Sequence, residues 1–138
     1  MTTNIKERIK YANDELISKG NLDVVDEIFS KDYVAHAGEK EYSGCEFVKR
    51  FIGQLRRSLP DIQIVDIVFL AEDGNKVVWQ RTSSGTHEVE MKGIPPSGKK
   101  IAWRDMVVSR FGNERIAEEW VVSELMGEML LHVPRIST

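Results

Sequence analysis

The chain has 138 residues, 19 Lys and Arg against 22 Asp and Glu, a net charge of −3 and 41% hydrophobic residues. That is enough for one domain, spanning 1–138, and too little for two; it lacks the basic excess of a nucleic-acid binder and any apolar run long enough to span a bilayer. The amino terminus MTTNIKERIK has no apolar core of a signal peptide, and the single cysteine, Cys45, excludes an internal disulfide framework, so the expectation is a cytoplasmic protein without nucleic-acid or membrane partners.

Helices fill the first half. Ile5, Ile9, Ala12, Leu16 and Ile17 recur at helical spacing and predict one helix over residues 4–19, begun by Asn4 with Glu7 and ended by Gly20. A short helix from about Leu22 to Phe29 follows, capped by Asn21. His36, in Tyr-Val-Ala-His, ends a short extended piece. A third helix is predicted from Ser43, with Glu46 completing a capping box, and runs to Pro60. Its apolar stripe is Phe47, Val48, Phe51, Ile52, Leu55 and Leu59. Lys49, Arg50, Arg56 and Arg57 read as its solvated face.

Strands fill the second half: Ile62–Ala71, Lys76–Met91, Lys100–Phe111 and Arg115–Glu124. Glu72-Asp73-Gly74-Asn75 and Gly112-Asn113 are tight turns, and Gly93–Gly98 is a proline-stiffened loop. This predicts an α+β domain, an antiparallel meander with helices on one face. Strands this long curl, and a curled sheet closed by helices encloses a cone that is either a packed core or a pocket. Residues from Leu125 onward read as a short helix or as an arm packed on a partner.

Strand alternation sorts the polar residues. Ile116, Glu118, Trp120, Val122 and Glu124 share one parity, Ile101, Trp103, Asp105 and Val107 another, and Val77, Trp79, Arg81, Ser83, Gly85 and His87 a third. Gly85 is a candidate bulge that would reset the last of these. Unbroken alternation puts Glu118 and Asp105 between apolar residues on covered faces. A carboxyl there is a candidate for acid-base chemistry, since burial disfavours its charged form, and His87 lies at the end of the third row. Each also has a structural reading: the tryptophans as core, Glu118 as part of a solvated edge, Asp105 as a cross-strand partner of Arg81, His87 as a satisfied strand histidine. The three histidines, His36, His87 and His132, have no metal-ligand spacing, so no metal is expected, and no nucleotide or serine-hydrolase motif occurs.

The stretch "GTHEVEMKGIPPSGKKIAWRDMVVSRFGNERIAEEWVVSE" resembles the carboxy-terminal half of SnoaL-like proteins, in the NTF2-like superfamily. Their pattern is a Gly-Thr-His strand, a Gly-Ile-Pro-Pro-Thr-Gly turn and a strand ending in Ile-Val-Glu-x-Trp. The Gly-Asn-Leu break, "DYVAHAG" and the helix ending in "LPDIQ" extend the likeness over nearly the whole chain. The resemblance implies a cone: a curved antiparallel sheet around amino-terminal helices, with an internal pocket and usually a homodimer through the sheet. It also implies a polyketide cyclase type of chemistry, in which an acid-base side chain removes a proton beside a carbonyl of a small hydrophobic ligand and an intramolecular aldol step closes a ring, without cofactor. His87, Glu118, Trp120 and His36 match the motif. Where many members carry glycine at position 105 and aspartate at 107, this chain has Asp105 and Val107. Asp105, Glu118 and His87 are thus the expected catalytic residues. His36, Phe51, Trp79, Trp103 and Trp120 are the expected ligand-binding ones. The alternatives are a non-catalytic binding protein and a dimeric structural domain.

Overall fold

A computed structural model describes residues 4–133, so the last five residues of the ambiguous tail lie outside it. Helix α1 (Ile5–Ala12) starts where expected, with the Asn4 side chain accepting from the Lys6 amide at 2.9 Å. It does not continue as a regular helix to residue 19. From Asn13 to Ser18 it widens into a π-helical turn, in which the Lys19 amide donates to the Asp14 carbonyl five residues back. Gly20, at φ 72°, ends it. Arg56 reaches over from α3 and donates to the carbonyls of Ile17 and Ser18, so this arginine caps a helix end instead of lying on a solvated face.

Asn21 caps a 3₁₀ turn (Leu22–Val24), accepting from the Asp23 amide, and α2 (Val25–Ile28) follows. Phe29 already belongs to β1 (Phe29–Ala37), which forms a hairpin with β2 (Lys40–Ser43). The hairpin draws Ser43 into a ladder opposite Val34, so the expected capping box with Glu46 does not form. Gly44, at φ 89°, precedes α3 (Cys45–Ser58) with no side-chain cap.

Four long strands follow: β3 (Gln63–Asp73), β4 (Lys76–Thr86), β5 (Lys100–Gly112) and β6 (Arg115–Ser123). They form the expected antiparallel meander, and β1 adds itself parallel to β6, giving the order β2-β1-β6-β5-β4-β3. The domain is α+β with the cone-like sheet that the sequence predicts. Strand β4 stops at Thr86, short of Met91: His87 still bonds back to Lys99 and Gly98, and residues 88–97 leave the ladder as a loop that contains a Met91–Ile94 bridge. Gly85 is not a bulge. It pairs in register with Ile101, and a Cβ there would sit 3.1 Å from Leu59 Cβ and 3.3 Å from Ile62 Cα, so the glycine permits the end of α3 to press on the sheet. The tail forms α4 (Leu125–Leu131).

Two apolar clusters fill the space between helices and sheet. One gathers Trp79, Val107 and Phe111 of the sheet with Ile9, Val25 and Ile52. The other gathers Ile101 and Trp103 with Leu59, Met91, Leu125 and Met129. Phe51 of α3 touches both. Among the described residues no helix is long and apolar enough to cross a membrane.

Candidate active site

Alternation on β4 and β5 sends Trp79, Arg81, Ser83, Trp103, Asp105 and Ser109 toward the helices. At the junction of the two clusters, Arg81 stands opposite Asp105. Its Nε donates to Asp105 Oδ2 at 2.7 Å, and its Nη1 donates to Asn13 Oδ1 at 2.9 Å. The Asn13 amide in turn donates to the Ile9 carbonyl at 2.8 Å. The guanidinium lies 5.4 Å from the Trp79 ring centre, within cation–π range. Asp105 is only 5% exposed, and its Oδ1 has no hydrogen-bond partner among the described residues. Leaving a buried acceptor unpaired costs about 1–3 kcal/mol, so an orphan of this kind needs a partner that the described residues do not supply.

Strand β6 departs from the predicted alternation. Arg110 pairs with Glu118, but the next residue, Phe111, pairs with Ile116, so Ala117 is an extra residue in a bulge. Beyond it every side chain changes face. Glu118 and Trp120, expected inside, lie on the outer face, and Glu119 takes the interior position. Glu119 is 8% exposed; it accepts from the Tyr33 hydroxyl at 2.8 Å and from the Ser109 hydroxyl at 2.5 Å, and Ser109 accepts from Trp79 Nε1 at 2.9 Å. Burial pushes its carboxyl above the ordinary range, against the opposing pull of the two hydroxyl bonds and of Arg81. The Tyr33 phenol is pushed well up by burial and then by the charge of Glu119.

The outer face holds a separate group. His36 Nε2 lies 2.6 Å from Glu118 Oε2, Arg110 Nε donates to Glu118 Oε1 at 3.1 Å, and His36 stacks on Trp120 with ring centres 5.1 Å apart. The His36 bond, followed by that from Arg110, holds the Glu118 carboxyl below its ordinary range, the reverse of the raised value expected from burial.

His87 is fully buried, and neither ring nitrogen has a partner among the described residues. Its backbone extends the ladder beyond Thr86 by exchanging bonds with Lys99 and Gly98. It lies six residues past Arg81, roughly 20 Å along an extended chain, so it is not set beside Asp105. The expected residues therefore fall into three places. Asp105, Trp79 and Phe51 lie near the centre, Trp103 and His87 lie toward the loop end, and His36, Glu118 and Trp120 lie outside. Asn13, Tyr33, Ser109 and Glu119 went unassigned in the sequence. The signal for Asn13 was present, since it is a polar residue on the buried stripe of Ile9 and Ile17.

Two surface depressions, of about 90 and 130 Å³, include Arg8 and Tyr11 in one and Lys6 and Phe69 in the other; neither reaches Asp105 or His87. Among the described residues no three His, Cys, Asp or Glu side chains form a metal-binding group.

The SnoaL-like polyketide cyclase model matches residues 7–130, and the chain belongs to that family. Comparison with curated proteins gives no match. Among solved structures, a candidate polyketide cyclase from Acidithiobacillus ferrooxidans is 25% identical over 96% of both chains, with a TM-score of 0.79. IdmH, a candidate polyketide cyclase from Streptomyces antibioticus, is 24% identical over 94% of this chain and 98% of its own, at 0.75. AclR, a candidate hydroxylase from Streptomyces galilaeus, is 22% identical over 98% of this chain and 87% of its own, at 0.78. The last two likenesses establish the fold alone.

Glu119 makes stability depend on pH. Above an ordinary carboxyl value of about 4.3 and below its own raised value, the folded chain holds a proton that the unfolded chain has lost, so stability falls as pH rises. The opposite contribution of Glu118, stability lost as pH falls through its lowered value, acts in a more acidic window. Glu119→Gln keeps the shape without the charge. Urea midpoints between about pH 5 and pH 7 are expected to fall with pH in the wild type and to flatten in the variant. The same slope in both proteins would contradict the assignment.

Proposed function

We propose that this protein is a cyclase or isomerase acting on a small hydrophobic carbonyl compound bound against the inner face of its sheet, with Asp105 as the base. The observation that carries this reading is the unpartnered Asp105 Oδ1 beside an oxygen already held by Arg81. In the proposed step Oδ1 takes a proton from the carbon next to the carbonyl. Arg81 has five N–H donors, two of them engaged by Asp105 and Asn13; others remain to stabilise the enolate oxygen. In a cyclisation the enolate carbon attacks a second carbonyl of the same molecule, a carbon–carbon bond forms, and Asp105 returns the proton to the new alkoxide. His87, toward the loop end, is proposed to hydrogen-bond a distal polar group of the same ligand. The outward position of Glu118 leaves it without a part in the proton transfer.

Proton abstraction is measurable without the natural substrate, as hydrogen–deuterium exchange at the acidic carbon of 2-tetralone in deuterated buffer, followed by proton NMR. The wild type is expected to accelerate it. Asp105→Asn should lose about 10²- to 10⁴-fold, with folding checked by circular dichroism, and Glu118→Gln should stay within about twofold. Full exchange by Asp105→Asn would remove the base.

The filling of the interior by two apolar clusters favours a second reading, a non-catalytic dimeric domain. Both readings share a homodimer through the outer face. There Val122 (73% exposed) pairs with Met106, and Trp120 with Val108, an apolar strip that a second copy would cover. Light scattering at micromolar concentration should give twice the 15.8 kDa chain mass, and Val122→Glu should shift it toward one chain. A monomeric wild type would sink the dimer.

A further inference from the structure

We propose that Asn13 is a positioning residue of the Asp105 site, and that the π-helical turn carries it. The proposal rests on Asp105 as the ligand-facing acid. Asn13 is 4% exposed and sits at the first residue of the widened turn, on a stripe where its neighbours one turn away, Ile9 and Ile17, are apolar and buried. A polar side chain there is costly unless satisfied, and both ends of the amide are satisfied. Its oxygen accepts from Arg81 Nη1 and its nitrogen donates to the Ile9 carbonyl. The assignment is chemically forced, because a guanidinium only donates and a carbonyl only accepts.

Arg81 is thereby held through two different nitrogens, Nε by Asp105 and Nη1 by Asn13. Two anchors fix the plane of a guanidinium; one leaves it free to turn about Nε. A fixed plane addresses Asp105 through Oδ2 alone and leaves Oδ1 toward the interior, unpaired. The connection runs from helix to β4 to β5, so the register of the first helix sets the direction of the reacting oxygen.

The two functions of the amide separate by substitution. Asn13→Asp keeps an acceptor for Arg81 and loses the donor to Ile9. Asn13→Leu loses both, and Asn13→Ser, too short to reach Arg81, replaces it if the leucine variant fails to fold. The activity-independent readout is nitrogen-15 NMR of the Arg81 Nη groups, assigned by their loss in Arg81→Lys. Separate Nη signals are expected in the wild type and Asn13→Asp, and a single averaged signal in Asn13→Leu. In the 2-tetralone exchange assay Asn13→Leu should lower kcat about 10- to 100-fold with KM within about twofold, and Asn13→Asp should recover most of it. Separate Nη signals in Asn13→Leu, or equal kcat losses in the Asp and Leu variants, would overturn the proposal. Wild-type exchange in Asp105→Asn would overturn the acid–base reading instead, while the Nη signals still decide whether Asn13 holds Arg81.

Discussion

An arginine and an aspartate share the underside of the sheet, with side chains 16% and 6% exposed, and the centre of the domain is arranged around them. Removing either partner of such a pair leaves an uncompensated charge, a loss of about 3–5 kcal/mol in proteins whose whole stability is about 5–15 kcal/mol. Asn13 accepts a hydrogen bond from Arg81 on the helix side, and the guanidinium lies over the ring face of Trp79. The pair also divides the core, with Val107 and Trp79 in one apolar cluster and Trp103 and Ile101 in the other. Replacing such a pair by well-packed hydrophobic residues is often neutral or stabilising, so stability alone does not account for it.

Most of the architecture could be read from the sequence, because it follows local rules. Helical spacing and Asn4 placed the first helix, Gly20 ended it, and the turns at Gly74 and Gly112 set the meander. Among the features that could not be read, three have a clear physical reason. The β1–β6 pairing is parallel and joins residues more than eighty positions apart, which no local pattern encodes. The Ala117 bulge depends on what β5 and β1 offer as partners, and the segment Arg115–Glu124 alternates acceptably in either register. The π-helical turn keeps Leu16 and Ile17 buried, so the apolar periodicity survives the change in winding.

The bulge has the larger consequence. One extra residue exchanged Glu118 for Glu119 in the interior, which moved the acid that matches the family motif to the outer face beside His36 and Trp120. Asp105 sits on β5, whose alternation is unbroken from Ile101 to Arg110, and there parity was a safe guide. The fold itself carries little information about reaction, since structures described as cyclases and as a hydroxylase superpose on it equally well. Function has to be argued from the inner-face row.

Titration with 2-naphthol, a planar mimic of the enol of 2-tetralone, followed by amide and side-chain NMR shifts, tests that row most directly. The account predicts saturable shifts centred on Asn13, Arg81 and Asp105 and extending toward Trp103 and His87. Shifts confined to His36, Trp120 and Val122 on the outer face, or none that saturate, would contradict it.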